Sequence, residues 1–219
     1  MHSTLRRGTV YGTLLNHADA LAALGAAVHA PPYKVPPKAP VLYIKPRNTW
    51  ADDGDAIVVP AGVEELEIGA TLGLVIGRTA CRVHEQDARS FVAGGVIVND
   101  LSVPHASFYR PSLRFKARDG FCPIGPFVAL QRVGSPDARQ VQVEVDGVVV
   151  HRSSTAGLVR PAARLLAEVS EFMTLFPGDV LMLGVAAGAP RARAGQRVSI
   201  LIDGLGRLDN TLVAEGTSA

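Results

Sequence analysis

Val96-Ile97-Val98-Asn99-Asp100-Leu101-Ser102 is the stretch on which the reading of this chain turns. Its β-branched run is long enough for a buried strand and too short for a helix of ordinary length. Asp100 stands at the end of that strand. A carboxylate there must be near water, paired or bound to a cation, because burying it alone is costly. An Asn-Asp turn is the plain alternative.

The flanks extend the pattern. Glu67 to Arg78 alternates imperfectly and predicts a long strand before it, and His84 to Ala93 predicts a short helix stopped by Gly94-Gly95. Residues 103–126 are broken by Pro104, Pro111, Pro123 and Pro126. They predict a long loop, and long loops in compact domains are usually functional or disordered.

Further out, Gly8 to Leu15 reads as a strand and His17 to His29 as an Ala- and Leu-rich helix. Pro31 to Lys38 is an extended connector, because each proline lacks an N–H and restricts its predecessor. Val41 to Ile44 is a short strand leading into Lys45-Pro46-Arg47. Asp52 to Asp55 turns the chain into a strand at Ala56 to Val59. Val141 to Val145 and Val148 to His151 flank Asp146-Gly147, a favoured two-residue hairpin turn. Pro161 to Thr174 is a helix with proline at its start and Leu165, Leu166, Val169, Phe172 and Met173 on its apolar face. Val180 to Leu183, Arg197 to Ile202 and Arg207 to Val213 are late strands. The sum is a β-rich single domain over 1–219 with two or three peripheral helices.

Composition narrows the function. Of 219 residues, 47% are hydrophobic and the net charge is only +2, so a sizeable core is available and nucleic acid is not an expected partner. No apolar run approaches the ~20 residues of a membrane span. Cys81 and Cys122 lack metal or redox spacing and fit reduced thiols of a cytoplasmic protein. Serine-hydrolase, phosphate-loop and dinucleotide motifs are absent. Lys45, Arg47, Arg110, Arg114, Lys116 and Arg118 form a cationic set suited to a di- or tricarboxylate if their segments meet, and solvated surface charge if they do not. His105 is the histidine best placed for proton transfer; a solvent-facing loop histidine is the alternative.

Six motifs occur in order: Tyr43-Ile44-Lys45-Pro46, Leu74-Val75-Ile76-Gly77, Val98 to Ser102, Asp119-Gly120-Phe121-Cys122-Pro123-Ile124-Gly125-Pro126, Thr174-Leu175-Phe176-Pro177-Gly178-Asp179 and Ile202-Asp203-Gly204-Leu205-Gly206. Together they resemble the fumarylacetoacetate hydrolase superfamily over about residues 40–213. Pro32 to Lys38, Ile44 to Thr49, Ser107-Phe108-Tyr109-Arg110-Pro111 and Lys116 to Gly125 resemble one subgroup, the N-terminal half or subunit of bifunctional decarboxylase/isomerases of 4-hydroxyphenylacetate breakdown.

The resemblance implies an α+β, β-rich fold: a mixed β-sandwich roll of the C-terminal-domain type of that family, with a few peripheral helices. Residues 1–40 would form an N-terminal strand, helix and connector, and 41–213 the family core. It implies a Mg2+ or Mn2+ ion held by a Glu-x-Glu and by an aspartate, here Asp100. Gly69 and Thr71 stand where the two glutamates belong. Glu65 and Glu67 form a Glu-x-Glu four residues early, about 13 Å away along a strand. With one acid left, the chain binds metal weakly, works without it or has lost the activity.

Lys116, Asp119 and His105 are the expected catalytic residues, and Lys45, Arg47, Tyr109 and Arg110 the expected substrate contacts. Gly184-Val185-Ala186 replaces the family's Gly-Thr-Pro, which helps close the site. The implied activity is decarboxylation and isomerisation of 5-oxopent-3-ene-1,2,5-tricarboxylate and 2-hydroxyhepta-2,4-dienedioate through a dienolate. A silent subunit paired with a metal-bearing homologous C-terminal subunit, and a C–C hydrolase of 1,3-diketo acids, are the competing readings. A homodimer or such a pair is the expected assembly.

Overall fold

The Val92–Asn99 strand lies inside a large mixed sheet, and every residue from Gly94 to Asn99 is buried. The structure, a computed structural model, describes residues 8–105 and 112–216. Among these, eight strands form the sheet in the order Val41–Lys45, Val10–Leu14, Val180–Met182, Ala70–Ile76, Val92–Asn99, Cys122–Ile124 and Trp50–Asp52, with Val128–Ala129 also paired to Val92–Asn99. A second sheet runs Val148–Ser154, Gln140–Val145, Arg197–Ile202, Gly206–Ala214 and Ala56–Val59. The fold is the β-rich α+β arrangement expected, with curled sheets.

Side-chain alternation explains the unbroken apolar runs in the large sheet. Leu72, Leu74, Ile76 and Ile97 face a core shared with Val143, Ile200 and Leu208 of the second sheet. Val75, Val96 and Val98 point the other way, into a cluster with Val10, Cys122 and Met182, edged by Tyr43 and Trp50. Both faces are covered, so both sets of alternating positions are hydrophobic. Asp100 follows the second set and ends at the edge of that cluster.

Several elements fall close to their expected bounds, though the second hairpin strand runs on to Ser154 and the helix ends at Phe172. The hairpin turn has Asp146 at φ 52° and Gly147 at φ 80°, the doubly positive pattern that Asp-Gly favours. The Ala162–Phe172 helix starts after Pro161 and buries Leu165, Leu166 and Val169.

Other elements differ. The strand expected at 67–78 is split: Leu66–Glu67 pairs with Arg191–Ala192, and Ala70–Ile76 belongs to the large sheet. Ile68 separates them by donating its N–H to Pro190. Gly94 and Gly95 do not stop a helix; they lie within the strand and pair with Ala129 and Val128, so close that a Cβ on Gly94 would sit 2.1 Å from the Val128 carbonyl oxygen. The preceding segment, Glu85–Phe91, is a 3-10 helix. The 17–29 helix is shorter, Ala18–Ala22, and continues as a 3-10 helix from Gly25, whose φ is 52°. Residues 103–126 contain a helical turn, Leu113–Lys116, and the short strand Cys122–Ile124. Phe172 ends the apolar face of its helix but is exposed. No helix of the described residues is long and apolar enough to cross a membrane.

Candidate functional site

Asp100 is 2% exposed and lies at the centre of the site. Its Oδ1 is 2.9 Å from the Lys45 ammonium and its Oδ2 is 2.8 Å from that of Lys116. The Tyr43 hydroxyl also donates to Oδ2. Two lysines, a tyrosine and an aspartate from three distant segments thus form one buried cluster.

Local structure aims each of them. Tyr43 and Lys45 are two apart on one strand, so they share a face. That strand pairs antiparallel with Val10–Leu14, with Gly12 opposite Tyr43. A Cβ at Gly12 would lie 2.1 Å from the Tyr43 ring, so glycine is what lets the ring lie flat across the neighbouring strand. Lys116 ends the Leu113–Lys116 turn, and its carbonyl accepts a hydrogen bond from Lys45 Nζ at 2.8 Å.

The two lysines are not equivalent. Lys45 also donates to the Leu101 carbonyl at 3.0 Å. With two carbonyls accepting from it and Asp100 Oδ1 beside it as an ion-pair partner, its ammonium is enclosed among the described residues. Among the described residues the Lys116 ammonium donates one hydrogen bond, to Asp100, and lies 5.2 Å from the Tyr43 ring centroid. It is Lys116 that lines the cleft above.

The electrostatics follow from burial and pairing. Burial alone would raise the Asp100 carboxyl, but Lys116, Lys45 and the Tyr43 hydroxyl outweigh it and hold the group well below the usual carboxylate range. Burial, reinforced by Asp100, pushes the Tyr43 phenol well above its ordinary value. Burial lowers the Lys45 ammonium against the pull of Asp100. The formal charges of Lys45, Lys116 and Asp100 sum to +1.

A depressed carboxyl stabilises the fold above its unfolded value, near pH 4, and that contribution is lost as pH falls toward the folded value. The urea midpoint of the wild type is therefore expected to fall below about pH 4, while its lead over Asp100→Asn stays constant between about pH 5 and 8 and narrows in acid. A lead that did not change down to about pH 2 would show that Asp100 is not the linked group.

The cleft has a volume of about 440 Å3. Tyr43, Gly69, Asp100 and Lys116 line one part of it, and Glu67, His105 and Arg191 contribute further polar groups. Leu14, Ala20, Leu24 and Ala186 supply an apolar wall. The segment 185–189 borders the cleft, as the resemblance implied, and is tied to the Ala18–Ala22 helix by the Ala187 N–H donating to Asp19 at 3.0 Å.

Of the expected site residues, Lys116, Asp100 and His105 come together at the cleft, and Lys45 lies beneath it. The His105 ring stacks on Phe115, and its Nδ1 is 3.0 Å from the Val103 carbonyl. Asp119 is exposed outside the cleft, where it accepts a hydrogen bond from Asn48 at 2.7 Å. The next residue, Gly120, has φ 73° and donates its N–H to the Asn48 carbonyl at 3.1 Å, so this segment is held against Asn48. Arg47 is exposed on a 3-10 turn, Arg114 is exposed on the Leu113–Lys116 turn and Arg118 is half-buried; none of the three lines the cleft. Tyr109 and Arg110 lie outside the described residues. Sequence reasoning assigned no role to Tyr43, Arg191 or the apolar wall, and weighed Glu67 only as half of a displaced Glu-x-Glu. Period-2 pairing with Lys45 was the available signal for Tyr43; nothing local signals the others.

Comparison with known proteins agrees with this architecture. Residues 9–213 match the family described as Fumarylacetoacetate (FAA) hydrolase C-terminal. The chain belongs to this family. It is 44% identical over 209 residues to the 4-hydroxyphenylacetate degradation bifunctional isomerase/decarboxylase of Escherichia coli, covering 95% of this chain and 48% of that one. The chain spans about half the length of the curated relatives it matches. The solved 5-carboxymethyl-2-hydroxymuconate delta-isomerase of Mycobacterium smegmatis superposes with a TM-score of 0.79 at 30% identity, covering 96% of this chain and 80% of that one. Fumarylpyruvate hydrolase of Pseudomonas aeruginosa, solved with Mn2+ and pyruvate, gives 0.83 at 25% identity, covering 95% and 91%.

The residues present do not fit the three-carboxylate cage that the family resemblance implied. The register does place Gly69 and Thr71 on the face of Asp100: Ala70 pairs with Asn99, and the Asp100 N–H donates to the Gly69 carbonyl at 2.8 Å. Yet a Cβ on Gly69 would sit 2.3 Å from the Asp100 carbonyl oxygen. The Thr71 hydroxyl is buried and donates to the Gly184 carbonyl at 2.8 Å. Glu65 pairs outward with Arg193 at 3.0 Å, while Glu67 reaches the cleft. Among the described residues, no group of three or more His, Cys, Asp or Glu could hold a metal ion.

Gly69→Ala tests that close approach. The new methyl would press on backbone, which cannot rotate away, so a loss of about 1–3 kcal/mol or more is expected in urea unfolding. A neutral result would show that the two strands separate easily at this point.

Proposed function

We propose that this chain acts on an unsaturated oxo-di- or tricarboxylate in the decarboxylase/isomerase chemistry of 4-hydroxyphenylacetate catabolism, as one member of a pair of homologous halves. The single observation that carries the reading is the Lys116 ammonium, supported by the Asp100 cluster and presented to a cleft with one apolar wall. The names of the relatives support the substrate class.

Chemically, the substrate's 2-oxo acid end would lie against Lys116. The C–C bond to the distant carboxylate breaks, and its electron pair runs through the conjugated chain to the carbonyl oxygen. CO2 leaves, and the ammonium stabilises the resulting dienolate oxygen. Protonation at carbon completes the isomerisation, so one intermediate serves both steps. His105 is the proposed proton carrier, and Tyr43, kept protonated, holds Asp100 in place. The steps are redox-neutral.

The test is turnover of 5-oxopent-3-ene-1,2,5-tricarboxylate by the chain alone, read as CO2 release and loss of conjugated absorbance. Steady turnover supports the reading. A second reading has its own observation: Gly69 and Thr71 supply neither acid of the metal cage. In that case the chain supports a metal-bearing homologous partner and is silent alone. Activity only in the mixture, unaffected by changes at Lys116, would assign it that role.

A further inference from the structure

The face on which the family resemblance places a metal is built differently here. Gly69 is not an empty slot awaiting a glutamate. Its position is held by the Asp100 N–H, and a Cβ there would meet the Asp100 carbonyl oxygen at 2.3 Å and the Asp100 Cβ at 3.0 Å. Backbone lies where the side chain would begin. Thr71 is oriented by the Gly184 carbonyl. Both oxygens of Asp100 carry ammonium groups at 2.9 Å and 2.8 Å.

A divalent ion entering this cluster would share its one carboxylate with two positive charges. Mg2+ wants near-octahedral oxygen ligands, and like charges at such range repel strongly at low dielectric. An anion meets the opposite situation. Lys45 is buried, held by two carbonyls and ion-paired to Asp100 Oδ1, so it fixes Asp100 from beneath the cleft. Lys116 is held by the same carboxylate on one side and has N–H groups left for the cleft.

We infer that this site takes a 2-oxo carboxylate directly on the Lys116 ammonium, with no divalent cation between them. The inference rests on the proposed function for the class of ligand, and it assigns to an amine the contact that the resemblance gives to a metal. Arg191 stands opposite Glu67 in register at the cleft, with its guanidinium 3.9 Å from Glu65; the two add one charge of each sign to the lining and leave the balance with Lys116.

The experiment uses 2-oxoglutarate as the probe, titrated calorimetrically into the whole chain in EDTA and again in millimolar Mn2+. Free Mn2+ is followed separately by its paramagnetic resonance signal. The expected result is binding in EDTA, unchanged within about twofold by Mn2+, and weakened at least about tenfold by Lys116→Met. Lys116→Arg keeps the charge and is expected to retain binding, which separates loss of the contact from loss of the fold. Saturable uptake of Mn2+ at micromolar levels, binding that requires Mn2+, or no binding in either condition would overturn it. Turnover separates the two readings: metal-free binding without catalysis sinks the proposed function alone, and Mn2+-dependent catalysis sinks this inference alone.

Discussion

Asp100→Asn is expected to destabilise the chain by about 3–5 kcal/mol, measured by urea unfolding near neutral pH. Asparagine preserves the shape, so packing is not the cause. The cause is Lys45, whose side chain is 0% exposed and whose counter-charge would vanish. Two carbonyl dipoles remain around it, but they do not neutralise an ammonium. Lys116 would lose its partner as well, though it can turn toward water in the cleft. A loss below about 1 kcal/mol would mean that the buried ammonium sheds its proton or finds other relief at little cost. The size of the expected effect reflects a broken pair; the intact cluster need not add that much net stability.

Lys116→Met is expected to act on the reaction more than on the fold. If the proposed chemistry holds, kcat/KM for the tricarboxylate falls by about 10²–10³, the usual cost of losing a group aimed at a developing oxyanion. Stability should change by much less than in Asp100→Asn, because Asp100 keeps Lys45 and Tyr43 as partners. Steady-state kinetics together with urea midpoints separate the effects. Unchanged kcat/KM in a folded Lys116→Met chain would falsify the catalytic assignment and move the weight to the supporting-half reading.

The two lysines differ in what surrounds them. Each is a cation from the same sequence-level set, yet one is sealed under the cleft and the other opens into it. Lys45 is held by carbonyls that are 56 and 71 residues away. Sealing Lys45 is what allows Asp100 to be buried and ionised, and that carboxylate in turn anchors Lys116. Tyr43 completes the arrangement only because Gly12 leaves room for its ring.

Read by itself, the sequence determined what depends on near neighbours and on motif order. The buried strand through Val98, the Asp146-Gly147 turn, the helix after Pro161 and the need of Asp100 for water, a partner or a cation are all local consequences of side-chain type and period. The six ordered motifs identified the family, and alternation placed positions 69 and 71 on one face; the strand register is what brings Asp100 to that face. Only the tertiary structure decided that Asp119 turns outward, that Gly69 meets backbone where a glutamate would start, that Glu67 and Arg191 reach the cleft, and that Lys45 is locked while Lys116 is open. Periodicity states which way a side chain points along its own strand. It carries no information about which distant segment lies opposite, and in a buried charge cluster that long-range pairing sets both the stability and the chemistry.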